Sequence, residues 1–214
     1  MSEFNNIEEQ RIWNKLSLWT DGGHEWSKSF GTTENLWNNY LFEPLKKFRG
    51  KKILEIAPGH GRITQFLSIL ADELIVVDLN ETCIEQTKKK LGTHIKEYHV
   101  NDGITLSSIP TNSIDLVFSF DSFVHMHKNV VRSYVKEISR VLVNGGHGFI
   151  HHSWIDGGEE YSFKNFGGRA NMNPSLFKSF VDEFEMETIS QNNIQFEPVG
   201  FWNGLDTLSF FYKP

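Results

Sequence analysis

The feature that most constrains this chain of 214 residues is a strand-like run followed by a glycine turn, over residues 51–62. Residues 53–57 are mostly apolar and of strand length, and Pro58 ends the run just before Gly59 and Gly61. Apolar residues then recur with the period of a helix. A strand, a glycine turn and a helix bring backbone N–H groups and the positive end of a helix dipole to the edge of a sheet. We therefore predict that a polar or anionic cofactor binds at this turn.

The residues around the glycines discriminate between cofactors. A dinucleotide fingerprint would place a third glycine three residues after Gly61, where this chain has Thr64, so a pyrophosphate is disfavoured. Glu55 lies inside the apolar strand, where a carboxylate needs a partner such as a ligand ammonium or a backbone N–H. A NAD(P)-dependent oxidoreductase on a similar fold stays an alternative, although the chain lacks a Tyr-x-x-x-Lys pair.

Polar residues follow the next strands at regular positions. Residues 74–78 form a second apolar run that ends in Asp78, about 20 residues past the glycines. At that spacing a carboxylate can accept both hydroxyls of an adenosine ribose. Asn101-Asp102-Gly103 follows a third run of strand character. These side chains are therefore expected at one edge of a sheet.

In this order, the segments resemble the class I S-adenosylmethionine-dependent methyltransferases. Residues 54–61 are similar to motif I, residues 101–103 to the loop that meets the adenine amino group, and residues 113–121 to the motif IV strand. The resemblance implies S-adenosyl-L-methionine as cofactor and S-adenosyl-L-homocysteine as product. The cofactor-binding residues that it implies are Glu55, Ala57, Pro58, Gly59, Gly61, Arg62, Asp78, Leu79, Asn101, Asp102, Gly103, Ser119 and Phe120, with Trp26 as a lid over the methionine end.

The alternation of strands and helices after residue 51 predicts an α/β fold. The alternation implies a mostly parallel sheet. The resemblance implies a Rossmann-like class I methyltransferase sandwich with seven strands, of which the last is antiparallel. Residues 128–142 predict a helix against the sheet, ended by Gly145-Gly146, and residues 187–196 and 207–212 predict the closing hairpin. Residues 1–50 are expected to form an N-terminal helical cap, with one helix at residues 7–19, and residues 51–214 the methyltransferase domain, as a single domain overall.

The composition of the chain limits the partners and the kinds of site that we expect. The net charge of −6 and the lack of a large basic cluster disfavour nucleic acid as a partner. The single cysteine rules out an internal disulfide and a multi-cysteine zinc site. No run of eighteen apolar residues occurs, so no membrane span is expected, and the chain is predicted to be cytoplasmic. The sequence does not predict an oligomeric state.

Methyl transfer to a hydroxyl needs a base in addition to in-line alignment. The strand pattern places Asp121, His125, His151 and His152 at the carboxyl edge. Asp121 and His125 would face one another across a helical turn, and a carboxylate raises the basicity of an imidazole. Only one of His151 and His152 can point into the cleft, because side chains alternate along a strand. We predict Asp121, His125 and His152 as the catalytic candidates, and no metal, because no acidic pair supports one.

The acceptor is expected near the irregular segment of residues 154–173. Arg169 can fork onto a carboxylate or phosphate, and with His151 and Trp154 it is a predicted substrate-binding residue.

Three further segments, residues 22–27, 118–122 and 151–153, resemble small bacterial-type methyltransferases associated with surface polysaccharides. This resemblance implies O-methylation of a sugar hydroxyl, for example on rhamnose, in a small-molecule or glycan acceptor. A non-sugar acceptor and a cofactor-binding subunit without activity are the alternatives.

Overall fold

The computed structural model describes residues 15–156, 168–194 and 204–214. Within these ranges, seven strands form one sheet. They are β1 (Lys52–Ile56), β2 (Glu73–Asp78), β3 (Glu97–Val100), β4 (Ile114–Ser119), β5 (Leu142–Ser153), β6 (Glu187–Asn193) and β7 (Asp206–Tyr212).

The helices follow the expected order along the chain. They are α1 (Thr33–Leu36) and α2 (Phe42–Leu45), joined by a π-helical turn at Trp37–Leu41, then α3 (Thr64–Leu70), α4 (Glu81–Leu91), α5 (Lys128–Val141) and α6 (Pro174–Glu183). Short 3-10 turns occupy Leu16–Leu18, His24–Phe30, Lys46–Phe48, Gly92–His94 and Phe123–His125. No helix among the described residues is long and apolar enough to cross a bilayer.

The strand order in the sheet is β3-β2-β1-β4-β5-β7-β6, and β7 alone runs antiparallel to its neighbours. The predicted Rossmann-like sandwich is thus confirmed, including the antiparallel last strand. The chain order reverses between β1 and β4, so the connections leave these two strands in opposite directions. A crevice is expected at their carboxyl ends, where ligands of such sheets bind.

Two apolar cores lie on the two faces of the sheet. Leu54 and Ile56 of β1 pack with the apolar faces of α5 and α6, whereas Ile53 packs with the N-terminal helices and α3. This split follows from the pleat, which turns successive side chains to opposite faces. The N-terminal helices are therefore an integral layer of the fold.

Side-chain caps fix where two helices begin. The Thr32 hydroxyl accepts a hydrogen bond from the Asn35 N–H, 3.1 Å away, at the start of α1. Asn173 caps α6 in the same way through the Leu176 N–H, and Pro174 occupies the first turn. Such caps satisfy N–H groups that have no partner inside the helix.

Two boundaries differ from the prediction. β5 begins at Leu142, directly after α5, so Gly145-Gly146 lies inside the strand. Gly145 is held there because its N–H donates to the Lys213 carbonyl, 2.7 Å away. β6 ends at Asn193, and the remainder of the strand predicted to residue 196 lies mostly outside the described residues, as do residues 157–167 of the irregular segment. Most of the helix predicted at residues 7–19 also lies outside them.

Candidate active site

A cavity of about 470 Å³ lies at the carboxyl ends of β1, β2 and β4, beside the point where the strand order reverses. Its floor is formed by the glycine turn, by Asp78 and by the Phe120-Asp121 segment. Its cover comes from the N-terminal part of the chain, through Trp19, Trp26 and neighbouring residues of the His24–Phe30 turn. The predicted cleft is therefore present, and residues far apart in sequence build it.

The glycine turn holds a left-handed backbone at several positions. Ala57, Gly59 and Gly61 have φ values of 58°, 59° and 79°. A Cβ at Gly59 would lie 2.5 Å from the Trp19 ring, whereas a Cβ at Gly61 would make ordinary contacts with Thr87. The missing side chain at Gly59 thus makes room for Trp19, which also stacks on His60 with ring centroids 3.9 Å apart.

Asp78 ties the glycine turn to the end of β2. One carboxylate oxygen accepts the Asn80 N–H at 2.8 Å and the other accepts the Gly59 N–H at 3.3 Å. Burial raises the pKa of Asp78 to about 7, against the effect of these hydrogen bonds. The side chain lines the cavity, so its oxygens stand beside any ligand bound there.

A buried ion pair lies at the other side of the turn. Arg62 donates to the Ser27 hydroxyl at 2.8 Å and pairs with the carboxylate of Asp121. The His151 Nδ1 atom lies 3.1 Å from both the backbone N and a carboxylate oxygen of Asp121. Burial opposes ionisation, but the charge of Arg62 and the contact with His151 hold the pKa of Asp121 well below its usual range. Asp121 is therefore ionised and fixed in place.

His125 has a defined tautomer. Its Nδ1 atom lies 2.7 Å from the Gly168 carbonyl oxygen, which can only accept, so Nδ1 carries the hydrogen and Nε2 of the neutral ring carries the lone pair. Burial lowers the pKa of His125, partly offset by this hydrogen bond. The side chain lines the cavity as a neutral imidazole. Asp121, which was predicted to face His125, makes its ion pair with Arg62 and contacts His151, and its charge raises the pKa of His125 less than burial lowers it.

A second ion pair borders the cavity. Both Arg169 donors Nε and Nη2 bind the carboxylate of the fully buried Asp206, each at 2.7 Å. His151 lies between the two pairs, with Nε2 3.7 Å from Asp206. Arg169 lines the cavity, and its guanidinium fork is directed at Asp206.

Several predicted site residues do not line the cavity. His152 is fully buried on the other side of β5, where Nε2 lies 2.7 Å from the Ser209 hydroxyl and the ring stacks on Phe177. Burial lowers the pKa of His152 to about 3. The alternation of side chains along β5 therefore brings His151 toward Asp121 and turns His152 away. The Trp154 side chain is 41% exposed and lies outside the cavity as well.

Two predicted cofactor-binding residues in the loop after β3, Asn101 and Asp102, also do not line the cavity. Asp102 accepts hydrogen bonds from the N–H groups of Ile104 and Thr105, and Asn101 binds the Tyr134 hydroxyl at 2.9 Å. Both side chains stabilise the loop, and Gly103 is the member of this triplet that lines the cavity. On β4, the Ser119 hydroxyl donates to the Ile56 carbonyl and thereby joins β4 to β1.

Glu55 lies beneath the turn, among the buried residues. One of its carboxyl oxygens has no hydrogen-bond partner within the described part of the chain. Burial raises the pKa of Glu55 to about 8, so the carboxyl group is largely neutral at pH 7. The side chain does not reach the cavity lining, and the ligand ammonium suggested as its partner would have to lie elsewhere.

Sequence reasoning missed part of the cavity. Trp19, Glu25, Phe30, Asn80, Tyr134 and Asp206 line it, and none was predicted. Asn80 could have been found, since it follows the Asp78 strand end at the same edge. The others come from the N-terminal segment, from α5 and from the start of β7, so only the tertiary fold brings them here.

Comparisons with known proteins agree with this geometry. Residues 53–146 match the family model described as a methyltransferase domain. Over 112 residues, or 51% of the chain, the sequence is 30% identical to phosphoethanolamine N-methyltransferase 1 of Triticum aestivum. The chain spans only 22% of the length of that relative.

Two solved structures share the fold. An S-adenosylmethionine-dependent methyltransferase of Leishmania major superposes with a TM-score of 0.69 at 15% identity, over 96% of this chain and 81% of that chain. The [4+2]-cyclase SpnF superposes with the same TM-score of 0.69 at 13% identity, over 96% of each chain. Over residues 53–146 the chain thus matches a methyltransferase domain, and it shares its fold with these two structures.

The lining of the cavity fits the chemistry of S-adenosylmethionine, the cofactor that the sequence resemblance implies. Apolar side chains at one end suit an adenine ring, and the Asp78 carboxylate beside them suits the ribose hydroxyls. The apolar group comprises Val77, Leu79, Cys83, Val130 and Tyr134. Asp121 and His125 lie among the lining residues contributed by the segment after β4. Within the described residues, no group of three His, Cys, Asp or Glu side chains is arranged to hold a metal ion.

Proposed function

We propose that the protein transfers the methyl group of S-adenosylmethionine to a hydroxyl of a small polar acceptor, with sugars as the first class to test. The observation that supports this proposal is the neutral imidazole of His125 beside the cavity, with Nδ1 fixed by the Gly168 carbonyl. A hydroxyl must lose its proton as it attacks the methyl carbon, and the Nε2 lone pair is suited to accept it.

The roles of the cofactor residues follow from their positions. Asp78 would accept hydrogen bonds from the ribose hydroxyls, Gly59 would present backbone to the methionine end, and Leu79 and Gly103 would lie on the side of the adenine. Gly61 does not line the cavity and faces Thr87 and Leu91. When bound, the cofactor supplies an electrophilic methyl group on a sulfonium. Asp121 and Arg62 neutralise one another and keep the floor of the cavity rigid.

The step needs a group that can accept a proton, and this favours His125 over Asp121 as the base. The bound cofactor would supply the methyl group and would leave as S-adenosylhomocysteine, and the proton lost by the acceptor hydroxyl would move to His125 Nε2. The Gly168 carbonyl then stabilises the imidazolium. Asp121 is a poor base, because its pKa lies far below that of a histidine.

A sugar acceptor is supported by the resemblance of three segments and by the lining of the cavity. Trp26 and Phe30 offer aromatic faces on which a pyranose ring can stack, and Ser29 and Ser122 offer hydroxyl groups. The relative in wheat is named for N-methylation, so phosphoethanolamine is the matched non-sugar acceptor for the assay.

The base is tested with His125→Gln. We expect this variant to lose about a hundredfold or more of kcat while its affinity for S-adenosylhomocysteine stays unchanged, because the base acts on the acceptor. Methyl transfer to rhamnose-containing glycans and to phosphoethanolamine is followed by mass spectrometry as a gain of one methyl group. His94→Gln, at an exposed histidine far from the cavity, is the control.

The pH profile provides a second readout. Because the pKa of His125 is lowered, the neutral ring persists to more acidic pH than an ordinary histidine, and kcat/KM should fall only below that range. Undiminished kcat in His125→Gln would contradict the role of His125. Methylation of phosphoethanolamine but of no hydroxyl compound would contradict the O-methyl assignment.

A further inference from the structure

Glu25 is held in a fixed orientation at the edge of the cavity. It lies in the His24–Phe30 turn, and its Oε2 atom accepts the N–H groups of Asp21 at 3.2 Å and Gly23 at 2.8 Å. Gly23 has a φ of 94°, which a residue with a side chain rarely adopts. The carboxylate is thus preorganised by the loop that carries it.

The second carboxylate oxygen of Glu25 differs from the first in its surroundings. Oε1 of Glu25 is buried from solvent and has no hydrogen-bond partner among the described residues. A carboxylate oxygen withdrawn from water without a partner is destabilising, and a bound cation would offset this. The Glu25 side chain also lines the cavity, so such a cation can come from a ligand bound there.

The surroundings of Glu25 suit an ammonium group. Trp19 and Trp26 line the same cavity and meet edge to face, with ring centroids 4.6 Å apart. A Cβ built on Gly23 would lie 3.3 Å from Trp19, 3.5 Å from Trp26 and 3.6 Å from Arg62. The loop of Glu25 therefore packs against both indoles and against the glycine turn. A carboxylate framed by tryptophan rings binds ammonium ions through charge and cation–π attraction.

The charges of the cavity lining also favour a cationic ligand group at Glu25. Arg62 is paired with Asp121 and Arg169 with Asp206, so each guanidinium is matched by a carboxylate. Glu25 has no ion pair within the described residues. S-adenosylmethionine carries a sulfonium, an ammonium and a carboxylate, which leaves one unbalanced positive charge. Asp78 also lines the cavity without an ion pair, but both of its oxygens accept backbone N–H groups, so the Glu25 carboxylate is the one that complements a cationic ligand group here.

We propose that Glu25, whose loop packs against Trp19 and Trp26, binds the α-ammonium group at the methionine end of the cofactor. The ammonium is the cation that fits, because the Glu25 loop packs at the glycine turn, whereas the sulfonium must face the acceptor and its base, which belongs to the segment after β4. The proposal rests on S-adenosylmethionine as the cofactor of the proposed function and is independent of which acceptor is methylated.

The test compares two nucleosides by titration calorimetry on the full chain. S-adenosylhomocysteine carries the amino-acid group, and 5′-methylthioadenosine lacks it. Glu25→Gln keeps the shape and an oxygen for the loop N–H groups but removes the charge. We expect it to weaken binding of S-adenosylhomocysteine about tenfold or more and to leave 5′-methylthioadenosine unchanged. Glu34→Gln, which removes an exposed charge from α1 in the same cap, should change neither affinity.

The other outcomes overturn the proposal. An equal loss for both nucleosides means that Glu25 only shapes the cap, and no loss for either means that it binds no part of the cofactor. A larger loss for S-adenosylmethionine than for S-adenosylhomocysteine places the sulfonium, not the ammonium, at Glu25. A change confined to KM for an amine acceptor assigns the carboxylate to that acceptor. Failure of sugar methylation would leave all of these measurements intact, so the two proposals fail separately.

Discussion

At the scale of single residues, Ala57 stands out in the cofactor turn. It has a φ of 58°, in a region where a Cβ clashes with the backbone, and it occupies the place just after β1 where glycine is favoured. A residue other than glycine loses roughly 1–2 kcal/mol in this conformation. The loss is tolerated because the Ala57 N–H donates to the Val77 carbonyl at 2.7 Å and anchors β1 to β2.

This strain predicts that Ala57→Gly stabilises the protein. Relief of the left-handed strain is worth about 1–2 kcal/mol, and the added freedom of the unfolded chain costs about 0.5–1 kcal/mol, so a net gain near 0.5–1 kcal/mol is expected. Urea unfolding measures it. Ala71→Gly is the matched control, because Ala71 has an ordinary φ of −73° and should only lose stability. An equal loss of stability in both variants would show that Ala57 is not strained in the native protein.

At the scale of elements, the sequence predicted the scaffold better than the cover of the site. The strands follow from local periodicity, and the Asp78 position follows from its spacing of about twenty residues from the glycine turn. Trp19, Glu25 and Asp206 reach the cavity by packing between distant segments, for which no local pattern exists. His152 and Asp102 show a different limit of prediction from sequence. A shift of one residue at a strand end decides whether a side chain faces the cleft, and the sequence pattern does not fix the position that closely.

The docking of the N-terminal segment on the glycine turn leads to a second stability prediction. Gly59→Ala would put a Cβ 2.5 Å from the Trp19 ring and would add left-handed strain, since Gly59 has a φ of 59°. Overpacking costs about 1–3 kcal/mol and the strain about 1–2 kcal/mol, so a loss of roughly 2–5 kcal/mol is expected.

Trp19→Ala separates the two terms. In that background, Gly59→Ala should cost only the strain, about 1–2 kcal/mol, and the double-mutant cycle should give a coupling energy of about 1–3 kcal/mol. Gly50→Ala is the control for strain alone, because Gly50 has a φ of 71° and nothing within 4 Å of a built Cβ. If the costs at Gly59 and Gly50 were equal in the parent chain, Trp19 would not pack on the turn.

At the scale of the whole molecule, two buried groups shape stability against pH in opposite directions. Burial lowers the pKa of His152 to about 3 from 6.5, so the unfolded chain binds the proton first and stability falls as pH drops from 6.5 toward 3. Burial raises the pKa of Glu55 to about 8 from 4.5, so the unfolded chain loses the proton first and stability falls as pH rises from 4.5 toward 8.

The Glu55 contribution can be isolated, because glutamine has nearly the same shape and no charge at any pH. At pH 8 the native chain holds a neutral Glu55 that the unfolded chain would ionise, and Glu55→Gln removes this penalty of a few kcal/mol, each pKa unit being worth about 1.4 kcal/mol. The variant should therefore unfold at higher urea than the parent at pH 8, with the difference shrinking toward pH 5. Glu85→Gln, at an exposed site of α4, should show no such trend. A difference that stayed constant from pH 5 to pH 8 would mean that Glu55 is ionised in the native protein, held by a partner that binds the charged carboxylate beneath the glycine turn.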